Sequence, residues 1–372
     1  MEFSIIVAFK NRDQKRVEYF LESLQWQSIK DFELVVINQG SDEEVNAWLE
    51  PLLSRYSFIK YIYNFTRGQL FNKSNALNIG IKAAAGKYIV IADIDIVFPS
   101  SYLEKIRDQL SPDLFFTHNA FYLPPTFKIE GMQYFFSKDL IDSCQEKFIG
   151  LCVAKKEAFI EINGFDEYFL LWGGEDDDIV NRLESSGRKR IHFTAASMNI
   201  YHQWHASNAP AYPSPWYLDV VNYLYFEKKK TASDNQQFGV LTKAADRTIE
   251  DKLSNIASFK KLDLITDPLF QFTFFTDGFF KMYSGEFGFF EFPILSLPAE
   301  GRKQKLINRF NILLSRLELP YSVVKKEISI PVNTRESWKD FVTYFIGKNR
   351  ALLRDYYIID TSKKLVFFFQ KK

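Results

Sequence analysis

The 372-residue chain reads as an α/β protein: a mostly parallel sheet flanked by helices over residues 1–230, then a smaller, aromatic-rich, mainly helical region over 231–372. Three observations predict it. Short apolar, β-branched runs alternate with stretches whose apolar residues recur at i, i+3, i+4 and i+7, the pattern of βαβ units with strands buried on both faces. Polar and acidic residues collect just after those runs, where a parallel sheet offers ligands the carboxyl ends of its strands. Past residue 230 the alternation stops and phenylalanines crowd in.

In order, Glu2 to Phe9 is the first buried strand, and Asn11 and Asp13 turn the chain. Val17, Phe20, Leu21 and Leu24 mark an amphipathic helix. Phe32 to Asn38 is a second strand, closed by the polar turn Asn38-Gln39-Gly40-Ser41-Asp42. Val45, Trp48, Leu49 and Leu52 give another helix, and Ile59 to Tyr63 a third strand. Asn75 to Ala85 is a helix with Leu77, Ile81 and Ala84 on one face and Gly86 past its end. Lys87 to Val97 is a fourth strand, apolar except for Asp93 and Asp95. A strand-like segment from Phe148 to Ala158 leads to the turn Gly164-Phe165-Asp166, and Arg190 to Phe193 and Met198 to Tyr201 are short strands. Glu227 to Gln237 reads as a polar surface linker, and Ile307 to Leu317 and Trp338 to Leu353 as amphipathic helices.

Composition removes several function classes. A net charge of +1 lacks the basic bias of a nucleic-acid binder. Cys144 and Cys152 form neither a disulfide framework nor a metal cluster and fit free thiols in a reducing compartment. No signal peptide or membrane span is visible, so a cytoplasmic location is expected. Residues 267 to 294 are rich in phenylalanine, yet Asp277, Lys281, Glu286 and Glu291 interrupt them and exclude a span. The tail Lys363 to Lys372 carries Leu365-Val366-Phe367-Phe368-Phe369 between lysine pairs. It reads as a last strand or helix packed on the second domain, or as a segment docking on the inner face of an anionic plasma membrane.

Two constellations carry chemistry. Trp172, Gly173 and Gly174 lead into Glu175-Asp176-Asp177-Asp178, and Ile179, Val180 and Leu183 make that run the start of a helix. One acid in a first turn is ordinary, because a helix N-terminus favours negative charge. Consecutive acids repel one another, so the run is either a solvated capping cluster or a site where one carboxylate does acid–base work beside an aromatic face. Asp93-Ile94-Asp95 ends the fourth strand; carboxylates at i and i+2 in a strand share a side and suit a divalent ion. Asp95 capping the turn into Pro99 is the plainer reading. His202 follows a strand, and His192 and His205 lie near it. A lone histidine is more often structural, but after a carboxylate pair it is equally a candidate metal ligand.

Taken together, these residues resemble nucleotide-sugar glycosyltransferases of the GT-A fold, in particular the β-1,4-galactosyltransferases and bacterial chondroitin-synthase-type family 2 enzymes. Ala8-Phe9-Lys10-Asn11-Arg12 is similar to a first nucleotide-binding loop, and Val36 to Gly40 to the turn after the second strand. Phe71-Asn72-Lys73 through Gly80 is similar to the next helix entry, and Asp93-Ile94-Asp95 to a metal-binding Asp-x-Asp. Ile162 to Phe165 with Trp172 to Asp178 resembles an acceptor and catalytic block, and Tyr201-His202-Gln203 a metal-completing segment.

The resemblance covers residues 2 to 205 and implies a nucleotide-binding half over about 1–98 and an acceptor half over about 99–230. It also implies roles. Asp95 and His202 would ligate Mn²⁺ or Mg²⁺ at the diphosphate of a UDP-sugar donor. Phe9, Lys10, Arg12, Asn38, Lys73, Asp93 and Ile94 would line the nucleotide. Glu175, with Gly174, would contact a glycan or lipid-linked glycan acceptor, Trp172 would stack on a sugar face, and Asp177 would contact the transferred sugar. Asp176 would be the general base of an inverting transfer serving surface polysaccharide synthesis in a bacterium.

Some positions depart from the family. Asn199 stands where the animal enzymes have a methionine ligand, with Met198 one residue back, so His205 remains a rival for the metal site. Lys147-Phe148-Ile149-Gly150 stands where they have a tyrosine before Phe-Gly-Gly, which leaves galactose and N-acetylgalactosamine both open as donor sugar. Other classes stay in view. A nucleotidyltransferase also uses paired aspartates but calls for a glycine-rich loop after the first strand, which Ala8 to Asp13 lacks. A non-catalytic nucleotide-sugar or glycan-binding module would keep the fold without turnover.

Overall fold

The computed structural model describes residues 1–125, 144–171, 173–205, 215–224, 237–262, 265–267, 272–274, 279–293, 335–361 and 364–372. The chain divides into two compact units, Met1–Pro213 with Tyr217–Arg247, and Ser214–Trp216 with Thr248–Lys372.

The first unit runs β1 (Phe3–Phe9), α1 (Gln14–Gln25), β2 (Phe32–Asn38), α2 (Glu43–Leu53), β3 (Ile59–Tyr63), α3 (Lys73–Ala83), β4 (Tyr88–Ala92), β5 (Ile96–Val97), α4 (Tyr102–Arg107), β6 (Leu114–Tyr122), β7 (Gln145–Lys155), α5 (Lys156–Glu161), α6 (Glu175–Ser185), β8 (Lys189–Phe193), α7 (Ala195–Met198), β9 (Tyr201–His202) and all but the first two residues of α8 (Pro215–Asn222). One sheet takes the order β3-β2-β1-β4-β7-β6-β9-β5, with β8 also paired to β6. Strands β1 to β4 are parallel, and β7 enters antiparallel between β4 and β6. Both faces are covered, as the continuous apolar runs require. Phe3, Ile5, Val7 and Phe9 of β1 join one core cluster, while Ile6 joins Val35, Ile37, Leu77 and Ile81 in the other.

Local chemistry sets the helix starts. Asp13 caps α1 by accepting from the Arg16 amide at 3.0 Å. Asn72 caps α3 by accepting from the Asn75 amide at 2.9 Å. Helix α3 lies so close to β1 that a Cβ on Gly80 would sit 2.3 Å from Cγ2 of Ile6. That approach fixes the height of Lys73, the first residue of α3, over the sheet edge.

Two strands expected from sequence change shape. The run 87–97 is not one strand: β4 stops at Ala92, Asp93 to Asp95 turn, and the chain resumes as β5. The turn closes through the Ile96 amide donating to the Asp93 carbonyl at 3.2 Å. The predicted strand 198–201 is instead the single turn α7, capped by Thr194 and ended by Asn199 at φ +55°, before the short β9.

The described residues of the second unit correct the expectation of a mainly helical region. They form β10 (Lys260–Lys261), β11 (Ile265–Asp267), β12 (Phe272–Phe274), β13 (Phe287–Pro293), α9 (Arg335–Asn349), β14 (Leu353–Asp360) and β15 (Lys364–Lys371), besides short 3-10 turns. A four-stranded sheet has the order β10-β13-β15-β14. Aromatic and branched residues prefer a pleated surface, and here they stack across it. Phe290 lies over Phe369 at 5.7 Å, and Phe289 over Phe368 at 5.4 Å. The tail is thus an inner strand whose Leu365 to Phe369 are buried in protein. Helix α9 is the counterpart of the helix predicted over 338–353, burying Trp338, Val342, Phe345 and Ile346. The helix expected over 307–317 and nearly all of the linker expected over 227–237 lie outside the described residues. No helix among the described residues is long and apolar enough to cross a membrane.

Candidate active site

The chain runs β1, β2, β3 outward in one direction and then places β4 on the other side of β1, so β1 and β4 flank a switch point where open α/β sheets bind ligands. The loop after β1 brings Lys10 and Arg12 there, and the turn after β4 brings Asp93 and Asp95. Two predicted nucleotide-site residues have their side chains in the core: Phe9, edge-on to Trp48 at 6.3 Å, and Ile94. Asn38 is buried, and its amide organises the loop: it donates to Asn46 at 2.7 Å and to the Tyr61 hydroxyl at 2.9 Å, and accepts from the Ser41 amide. The Lys10 ammonium donates to the carbonyls of Gln39, Thr66 and Gln69 at 2.8, 3.3 and 3.1 Å. Burial lowers its pKa to about 8, with Asp42 opposing and Arg247 adding to the shift.

The centre is Lys73. Its Nζ lies 3.2 Å from Asp93, 3.5 Å from Glu175 and 3.4 Å from Asp176. One ammonium therefore ties the turn after β4 to the first turn of α6. Burial works against its charge, but Asp176, Asp93 and Glu175 together raise its pKa well above the ordinary lysine value. The four acids of α6 separate by direction. Glu175 and Asp176 face Lys73, and Asp177 is exposed. Asp178 is buried in a fork with Arg182, whose Nε and Nη2 stand 2.9 and 2.8 Å from Oδ2. Arg182 also donates to the Ile162 carbonyl at 2.7 Å, so that pair pins the helix to the Ile162-Asn163-Gly164 turn. Gly174 is the residue before the helix, and its φ of +92° belongs to the left-handed region that glycine tolerates. Burial raises the Asp176 pKa to about 7, with Glu175 and Asp93 adding to the shift and Lys73 opposing it. A carboxylate poised near neutrality is suited to accept a proton.

Beside this cluster, Asp95 faces two histidines: Oδ1 is 3.5 Å from Nε2 of His202, and Oδ2 is 3.4 Å from Nε2 of His205. Ligand atoms of the three lie within 4.8 Å of one another. Burial opposes charge on Asp95, but the His205 bond and the nearby His202 and Arg12 outweigh it and hold its pKa at about 2. Oδ1 of Asp95 and Nδ1 of His202 are buried without a hydrogen-bond partner. Unsatisfied buried acceptors are rare, and a carboxylate with two imidazoles is a donor set that fits a divalent cation such as Mn²⁺. The Tyr122 ring stacks on His202 at 4.2 Å and 13°. Its hydroxyl pKa is pushed up to about 12, by burial first and by Asp95, Asp93 and Asp176 next.

The structure thus gathers Lys73, Asp93, Glu175 and Asp176 in one cluster and Asp95, His202 and His205 in its neighbour. The expected same-side pairing of Asp93 and Asp95 is not found, because the strand ends at Ala92 and the turn sends one carboxylate to Lys73 and the other to the histidines. Trp172 lies outside the described residues. Met198 is buried in the core. Sequence reasoning left three participants unassigned: Tyr122, the bridging role of Lys73, and Glu167. Glu167 accepts from Asn78 at 3.0 Å, Asn75 at 3.1 Å and the Gly239 amide at 2.6 Å, which locks α3 to the loop leading to α6. The spaced asparagines 72, 75 and 78 were the available signal.

Residues 4–120 match the family model Glycosyl transferase family 2, and residues 131–206 match the N-terminal domain of galactosyltransferase. β-1,4-Galactosyltransferase 1 of Bos taurus is 28% identical over 163 residues, 41% of this chain and 36% of the relative. An uncharacterized glycosyltransferase of Rickettsia bellii is 31% identical over 124 residues, 32% of this chain and 16% of the relative. The chain thus spans little more than a third of these curated relatives at most. Among solved structures, S. aureus TarS in complex with UDP-GlcNAc aligns with TM-score 0.45 and 17% identity over 60% of this chain and 65% of that one. GalNAc-T7 with UDP, GalNAc and Mn²⁺ aligns with TM-score 0.45 and 16% identity over 60% and 49%. The N-terminal unit is related in sequence to glycosyltransferases, and in particular to galactosyltransferases.

Proposed function

We propose that this chain is a metal-dependent, inverting glycosyltransferase. It moves a hexose or N-acetylhexosamine, with galactose or N-acetylgalactosamine favoured, from a UDP-sugar to a glycan acceptor. The observation that supports this best is the single ammonium of Lys73 joining Asp93, Glu175 and Asp176, next to the cation-suited trio Asp95, His202 and His205. In this reading Asp176 accepts the proton of the acceptor hydroxyl as its oxygen bonds to the anomeric carbon and the bond to the diphosphate breaks. One base opposite one leaving group gives a single displacement and inversion. A divalent cation bound by Asp95, His202 and His205 would offset the negative charge growing on the departing diphosphate. Lys73 keeps Asp176 oriented and lends positive charge to the same space. Glu175 with Gly174 serves the acceptor, Asp177 the transferred sugar, and Arg12 the nucleotide.

The setting we propose is synthesis of a surface polysaccharide from the cytoplasmic side, in keeping with a sequence that holds two cysteines. UDP release should be followed across a panel of UDP-sugars with Mn²⁺, Mg²⁺ or EDTA, using simple sugars and water as acceptors. Turnover with one donor, lost in EDTA, is expected. Absence of turnover with every donor would overturn the reading in favour of a binding module.

A further inference from the structure

Strand β7 contains an irregularity that meets the proposed base. Thr117 of β6 pairs with Cys152, but His118 pairs with Ile149, so Gly150 and Leu151 form a bulge. Bulges commonly re-aim chain beside functional sites. At this one, a Cβ on Gly150 would lie 2.4 and 2.5 Å from the two carboxylate oxygens of Asp176 and 2.6 Å from its Cγ. No side chain fits there while the carboxylate stays in place. The carboxylate can yield only by giving up its 3.4 Å contact with Lys73, because its backbone belongs to the first turn of α6.

We propose that Gly150 is a positioning residue: the bulged strand leaves out a side chain so that the Asp176 carboxylate rests against bare backbone and aims at the acceptor oxygen. This deepens the transfer reading and rests on Asp176 as base. Among the described residues, the charged and titratable groups around Asp176 are Lys73 from α3, Asp93 from the turn after β4, Glu175 beside it, and Tyr122 and Cys152 on β6 and β7.

The test is Gly150→Ala. A methyl that moves the carboxylate by about 1 Å should lower kcat about 100-fold while the donor KM stays within about twofold. It should also move the acid limb of the kcat–pH profile upward, because the displaced carboxylate loses contact with Lys73. A thermal-stability cycle keeps the test independent of turnover. Gly150→Ala should lower Tm in the wild-type background and cost nothing in an Asp176→Ala background, where the methyl has room. An unchanged kcat and pH limb, or an equal Tm loss in both backgrounds, would reduce Gly150 to a packing position and overturn the proposal. If the wild type turns over no donor, the transfer reading fails, while the Tm cycle still reports whether Gly150 seats Asp176.

Discussion

Replacing Lys73 by methionine removes the one ammonium shared by Asp93, Glu175 and Asp176 while keeping the length of the side chain. Lys73 is largely buried, and the three contacts are 3.2, 3.5 and 3.4 Å. Breaking a buried ion pair by deleting one partner costs roughly 3–5 kcal/mol if the orphaned charge persists. Here the carboxylates can escape by taking up protons, so much of that cost becomes a pKa change. Asp176 already titrates at about 7. One further unit upward takes its ionised fraction at neutral pH from about a half to about a tenth, and two units to about a hundredth. Loss of kcat at neutral pH should therefore be about 5- to 50-fold, with most of it regained about two pH units higher. The assay is initial UDP release from the active donor as a function of pH, with wild type and Lys73→Met side by side. The stability of the variant should depend on pH as well. Carboxylates whose folded pKa is raised bind more protons folded than unfolded, so the deficit of the variant should be small in acid and grow as pH rises. A variant with unchanged kcat and an unmoved acid limb would refute the role given to Lys73.

Further outcomes follow from the same geometry. Wild-type kcat should fall as pH drops through about 7, because the Asp176 pKa is raised to that value by burial first and by Glu175 and Asp93 next; a profile flat from pH 5 to 8 would contradict it. Mn²⁺ at about 100 times its Kd should stabilise the folded chain by about 2.7 kcal/mol, read as a rise in Tm; His202→Ala and His205→Ala should each abolish that rise, and a rise unaffected by either would place the cation elsewhere. Asn78 is fully buried, donates to the Phe165 carbonyl at 2.9 Å and accepts from the Phe165 amide at 2.7 Å; Asn78→Leu should cost about 1–3 kcal/mol per orphaned group in urea unfolding, and an unchanged midpoint would mean that the clamp is idle. Deleting residues 364–372 should lower Tm through loss of the inner strand β15 and leave liposome sedimentation unchanged; loss of vesicle binding at unchanged stability would restore the membrane reading of the tail.

How much of this was legible in the sequence depends on whether the deciding contact is local. The strands Phe3–Phe9, Phe32–Asn38 and Ile59–Tyr63 announce themselves through apolar runs of the right length, and α1 through its i, i+3, i+4, i+7 face. The acidic start of α6 and the aspartates after β4 were visible as residue types, since buried carboxylates need a reason. Their arrangement was not. The break of the predicted strand 87–97 at Ala92 comes from a three-residue turn within an otherwise apolar run. Lys73 meets Asp176, 103 positions away, and Glu175 is as remote, so no spacing could announce that hub. Which of the four acids faces inward was decided by Arg182 and the Ile162 carbonyl fixing the rotation of α6. The second unit misled because aromatic runs fit a helix or a strand face; pairing of Phe287–Pro293 with Lys364–Lys371 settles them as sheet.

The central claim is that Asp176 performs the proton transfer in a cleft that binds nucleotide independently of it. Its most direct test is Asp176→Asn, measured once for transfer from the active UDP-sugar and once for UDP affinity in Mn²⁺. Transfer should fall by about 10²- to 10⁴-fold while the Kd for UDP stays within about twofold. Undiminished transfer, or loss of UDP affinity in step with loss of transfer, would contradict it.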